Sequence, residues 1–163
     1  MKKYIYIIII IISFIGLSSC EKDDFCTQNP VTPSLILRFH DKDDVTKKKS
    51  VERFSIIAVG KTDSLFVGRN TDSITIPLNG LDTKTVYTLK MNDVDNIKTN
   101  NKIATLTINY TAEEEYISRS CGYRFIFKDI TLTSSTPSWI NSLSTKDVSI
   151  INNQIKAHVQ VFH

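Results

Sequence analysis

Ile103-Ala104-Thr105-Leu106-Thr107-Ile108-Asn109-Tyr110 decides the fold class. Ala104, Leu106, Ile108 and Tyr110 fall on one side of an extended chain. Ile103, Thr105, Thr107 and Asn109 fall on the other. Successive side chains of a strand point to opposite faces, so this is a strand with one face in a core and one face wet. The same period recurs outward in both directions. Ile74, Ile76 and Leu78 alternate with Ser73, Thr75 and Pro77, and Ala157, Val159 and Val161 with Lys156, His158 and Gln160. Further strands are expected at Leu35–Phe39, Phe54–Val59, Leu65–Val67, Thr85–Met91, Tyr116–Arg119, Tyr123–Ile130 and about Asp147–Ile151, all rich in β-branched and aromatic residues. Turn chemistry separates them at Asp41-Lys42-Asp43-Asp44, Gly60-Lys61-Thr62-Asp63, Asn79-Gly80 and Asn92-Asp93. No apolar stripe at helical spacing is sustained over ten residues. The expectation is an all-β chain: an antiparallel β-sandwich, Ig-like or transthyretin-like, with an open β-barrel as the alternative.

The segment 131–146 is polar, Ser/Thr-rich and contains Pro137 and Trp139. It reads as a long connection that crosses between sheets or covers an edge strand. Trp139 is expected to plug the end of the core, because a buried indole contributes a large apolar area. The alternative is an exposed ring that stacks on a sugar.

The N-terminus carries an address. Lys2-Lys3 precede an apolar run from Tyr4 to Leu17, and Leu17-Ser18-Ser19-Cys20 closes it. That order is a secretory signal. The cysteine at the cleavage point resembles the lipobox of bacterial lipoproteins, which implies removal of residues 1–19 and a lipid on Cys20. As a helix, Tyr4–Leu17 would span roughly 21 Å, against about 30 Å of hydrocarbon, so an uncleaved transmembrane anchor is disfavoured. One buried acyl chain holds only marginally, at about 0.8 kcal/mol per CH₂. The lipoprotein pattern implies three. Lys22-Asp23-Asp24 resembles the surface-export signal of some Bacteroidetes-type lipoproteins; its plain reading is a solvated tether. The expected organisation is a signal peptide at 1–19, a lipidated cysteine and tether at 20–33, and one β-sandwich domain at 34–163. The expected location is the outer membrane, surface-exposed or on the periplasmic face.

Removal of 19 residues from 163 leaves 144, a natural size for one domain. Lys2 and Lys3 leave with the signal and take the formal net charge from +3 to +1. A near-neutral body of mixed charge argues against nucleic-acid binding, which needs a basic stripe. Two cysteines remain, Cys26 and Cys121. Export places them where disulfides persist, and their even number invites pairing. Two buried thiols and a metal site are the competing readings. The metal reading is poor, since His40, His158 and His163 accompany them without close ligand spacing.

The remaining candidates are weak. Asp41, Asp43 and Asp44 have oxygen ligands for Ca²⁺, but Thr46 stands where an EF-hand-like loop needs glycine, and Lys47-Lys48-Lys49, between it and Glu52 at the twelfth position, would repel a cation. A solvated hairpin loop is expected there. Asn92, Asp93, Asp95 and Asn96 form a second oxygen-rich turn. Glu113-Glu114-Glu115 reads as a charged turn rather than a pair of catalytic carboxylates facing across a cleft. No GxSxG, HExxH, phosphate-loop or dinucleotide fingerprint occurs. No enzymatic activity and no cofactor are expected.

Ile117-Ser118-Arg119-Ser120-Cys121-Gly122-Tyr123 is the most individual stretch. Gly122 suits positive φ or a close backbone approach. Together with Cys26, Pro33-Ser34-Leu35-Ile36-Leu37-Arg38-Phe39 and Asp72-Ser73-Ile74-Thr75-Ile76-Pro77-Leu78, it resembles an uncharacterised family of small Bacteroidetes-type lipoproteins. The resemblance implies export, lipidation and the two-cysteine framework, and suggests an outer-membrane barrel as partner. Two functions follow as expectations. One is a non-enzymatic binding or structural module for another outer-membrane component, held to the membrane by its lipid. The other is a surface carbohydrate-binding module. Trp139, Tyr116, Arg119 and Arg124 are the expected ligand contacts.

Overall fold

The computed structural model describes residues 25–26, 30–94, 100–145 and 148–163. Ten strands follow in chain order: β1 Leu35–His40, β2 Val51–Ala58, β3 Ser64–Thr71, β4 Ser73–Ile76, β5 Lys84–Met91, β6 Lys102–Ser118, β7 Gly122–Ser134, β8 Ser142–Ser144, β9 Ile150–Ile151 and β10 Val159–Phe162. They form a four-stranded sheet, β4-β1-β10-β8, and a six-stranded sheet, β3-β2-β5-β6-β7-β9. No α-helix occurs among the described residues. The protein is an all-β sandwich, and its pairing is antiparallel except between β1 and β10, which run parallel. The chain divides into two compact units. Among the described residues, one comprises Phe25, Cys26, Pro30 and Tyr116–Tyr123, and the other the rest of the strands, from Val31 to Glu115 and from Arg124 to His163.

The larger unit is built on the alternation seen in the sequence. Leu35, Leu37 and Phe39 of β1, Val159 and Val161 of β10, and Ala104, Leu106 and Ile108 of β6 are almost fully buried in one core. The register sets Leu37 beside Val159 and Phe39 beside Val161. Each of the valine, leucine, isoleucine and phenylalanine side chains among them contributes about 1.5–3 kcal/mol of burial.

Strict alternation fails at two points, and the backbone shows why. Val51 and Phe54 are both buried although three residues apart. Arg53 between them has φ +42°, and the β2–β3 register shifts there. A bulge of this kind inserts a residue and restores the inward face. Asp129, at φ +52°, stands in the same way between buried Phe127 and Ile130.

Two expectations change. Tyr116–Arg119 is not a separate strand: β6 runs unbroken through Glu113-Glu114-Glu115, which are therefore not a turn. Cross-strand cations make this tolerable. Lys128 Nζ lies 2.6 Å from Glu113, and Arg124 Nε 2.6 Å from Glu115. The Asp41 loop is not a hairpin loop, because β1 and β2 belong to different sheets. The connection after β7 crosses to the other sheet, as expected, and there carries a further short strand, β8, which pairs with β10.

The Asn79-Gly80 turn is held by buried phenols. Tyr110 Oη donates to the Asn79 carbonyl at 2.8 Å, and the Asn79 N–H donates back to it at 3.1 Å. Tyr87 donates to the Pro77 carbonyl, and burial pushes its hydroxyl up to about 12. Gly80 faces the Phe125 ring so closely that a Cβ would overlap it. Gly80→Ala should therefore cost about 1–3 kcal/mol through forced displacement of Phe125. Urea unfolding would measure this, and a change below about 0.5 kcal/mol would contradict the packing.

Candidate functional site

Cys26 and Cys121 form a disulfide, with Cα atoms 4.7 Å apart and a sequence separation of 95. In the chain-entropy model a closure of that length is worth about 4–5 kcal/mol. Cys121 lies in the turn between β6 and β7. Its N–H donates to Ser118 Oγ at 3.1 Å, and Gly122 follows at φ +71°, a left-handed conformation that glycine adopts without penalty. Tyr116 and Tyr123 flank the turn. Their rings meet edge to face at 5.2 Å between centroids, yet they remain 56% and 64% exposed. An aromatic pair with exposed faces has area left for a partner, at little cost in side-chain entropy. Arg119 stands in the same turn. Tyr116, Arg119, Cys121 and Cys26 thus come together in the smaller unit.

Arg124 belongs to the larger unit, where it is held by Glu115. Trp139 belongs there too. It is half-buried, with its ring centroid 6.2 Å from Phe39, 6.4 Å from Phe54 and 5.5 Å from His163. Its indole N–H points to the Leu89 carbonyl at 3.4 Å. That packing is the core plug read from the sequence. The rest of its edge borders an open groove lined by Lys42 and the Ser134–Ser138 stretch.

Beside Trp139, the Asp41 loop closes on itself. Asp41 Oδ1 accepts the N–H of Asp43 at 2.7 Å and of Asp44 at 3.3 Å, while Oδ2 pairs with Lys49 at 3.0 Å. The Asp43 N–H first, and Lys49 after it, pull the Asp41 carboxyl down to about 2. Lys49 Nζ also donates to the His163 carbonyl at 2.9 Å. The carboxylates are spent on the loop itself. In the second oxygen-rich turn, Asp95 and Asn96 lie outside the described residues, as do Cys20 and residues 1–19.

Two histidines are fixed by the backbone. His158 Nδ1 accepts the Ile36 N–H at 2.9 Å, and its Nε2 donates to the Asn153 carbonyl at 2.9 Å. Those partners define a neutral tautomer. His163 Nε2 points to the Lys49 carbonyl at 3.4 Å. Burial lowers both imidazoles below their ordinary 6.5.

An all-β sandwich bearing one disulfide among its described residues is the class that fold and site define. The chain belongs to the family of unknown function DUF6452, whose model matches residues 53–163. No curated protein and no solved structure matches it. Strand β1 lies ahead of the matched segment.

The two histidines carry a pH dependence. Their folded-state values lie below those of the unfolded chain, so the unfolded chain binds protons first as pH falls. Their stabilising contribution is complete well above pH 6.5 and is lost below it. Thermal melts from pH 8 to pH 5 should show a falling midpoint that begins near 6.5. A midpoint that is flat or rises toward pH 5 would refute the assignment.

Proposed function

We propose that the protein is an exported Bacteroidetes-type lipoprotein, anchored through Cys20 in the outer membrane and displayed at the surface. There it serves as a non-enzymatic binding or structural module for another outer-membrane component. The observation that carries this reading is the Cys26–Cys121 disulfide. Cys26 lies six positions after Cys20. A chain spans at most about 3.5 Å per residue, so a lipid on Cys20 would keep Cys26 within roughly 21 Å of the bilayer. The disulfide extends that limit to Cys121 and its turn. The exposed Tyr116–Tyr123 pair would then sit at the depth where a membrane-embedded partner is reachable. Tyrosine suits that place, since its ring is apolar and its hydroxyl is wet. The cysteine pairing also fits a compartment in which disulfides persist.

The carbohydrate-binding reading rests on the same exposed rings, which offer stacking faces. Trp139 supports it less, because much of its indole is spent on Phe39 and Phe54.

A photo-crosslinking amino acid at position 116, introduced in intact cells, separates the two. The proposal expects a discrete crosslink to an outer-membrane protein, absent when the photoprobe replaces exposed Leu81 instead. Crosslinking to glycan alone would favour the carbohydrate reading. No crosslink to any envelope component would overturn both.

A further inference from the structure

On the outer face of the four-stranded sheet, the strand register assembles a cationic pocket of about 420 Å³. Inward-pointing Leu37, Phe39, Val159 and Val161 leave Arg38, His40 and Gln160 to point outward. Pairing places Arg38 beside Gln160, and Gln160 beside Ser144. Lys48 joins them because its backbone bridges to His40, and Lys156 because it shortly precedes β10. Among the described residues, no carboxylate lines the pocket.

Two of these side chains hold buried polar atoms without a partner: Arg38 Nε and His40 Nδ1. His40 is only 8% exposed. Buried polar groups are paired in the great majority of cases, and an unpaired one carries a desolvation cost. His158, which also lines the pocket, shows the usual arrangement, with both ring nitrogens engaged by backbone. Arg38 and His40 are the exception. They stand beside two lysines whose like charge repels Arg38 in turn.

We infer that this pocket is a binding site for a phosphate group, with Arg38, Lys48 and Lys156 opposing its charge and with His40, Gln160 and Ser144 supplying hydrogen bonds. Guanidinium and ammonium groups both bind phosphate oxygens by charge-assisted hydrogen bonds, and Arg does so with a planar fork. A phosphate dianion would neutralise most of a cluster that otherwise repels itself. Free inorganic phosphate and a phosphorylated lipid headgroup present the same group. The inference rests on the sheet face alone and does not depend on the anchor or on the tyrosine pair.

The test uses the full-length protein in neutral detergent at pH 7.5. Inorganic phosphate is titrated while the amide resonances of Arg38, His40 and Gln160 are followed, against sodium chloride at matched ionic strength. A parallel arm measures co-flotation with phosphatidylglycerol vesicles and with phosphatidylcholine vesicles doped with phosphatidic acid. Saturable shifts confined to these residues, weakened roughly tenfold or more in Lys156→Gln and in Arg38→Met, are expected. Lys47→Gln, outside the pocket, should change nothing. Lys156 is exposed, so its variant keeps the fold intact. Response to phosphate in solution assigns a soluble ligand, and flotation lost in Lys156→Gln assigns a headgroup. Shifts that follow chloride equally, or that persist unchanged in Lys156→Gln, with flotation indifferent to the variant, would overturn the inference.

Discussion

The parallel pairing of β1 with β10 is the contact on which the larger unit depends. It joins strands from opposite ends of the sequence, Leu37 with Val159 and Phe39 with Val161, and seats four apolar side chains in the core together. Because side chains alternate, the same register decides what the outer face shows. A slip of β1 by one residue against β10 would turn Arg38 inward and expose Leu37 and Phe39. Core and pocket are therefore two consequences of one alignment. The antiparallel partners on either side, β4 and β8, make this pair the centre of its sheet.

Much of that was legible along the chain. Ala104, Leu106, Ile108 and Tyr110 announce their strand, because an alternation of that length suits a half-buried strand and no helix. The parity of the cysteines pointed to the bridge that the structure contains. What escaped was whatever depends on partners far away in sequence. Three consecutive glutamates read as a turn, since like charges repel. Lys128 and Arg124, on the neighbouring strand, are what let them stay extended. Ser142–Ser144 is too short and too polar to signal a strand by itself, and β10 supplies its reason to be one. Val51 and Phe54 break the period, and only the backbone at Arg53 reveals that both face inward.

The candidate sites follow the same division. Tyr116, Arg119 and Cys121 were found because they are neighbours in sequence, and they remain neighbours around one turn. Arg38, His40, Lys48 and Lys156 were not found, since more than a hundred residues separate their two contributing segments. The available signal was indirect. The outward positions of β1 carry Arg38 and His40, and the segment leading into β10 carries Lys156 and His158, with no carboxylate among them. That becomes a pocket only when those strands are known to be adjacent and in register.

The register of β1 against β10 is thus the quantity to measure. Cross-strand nuclear Overhauser contacts on the isotope-labelled protein read it directly. The expected result is a parallel ladder in which Leu37 aligns with Val159, Arg38 with Gln160 and Phe39 with Val161. An antiparallel ladder, or a parallel one displaced so that Phe39 aligns with Gln160, would contradict it.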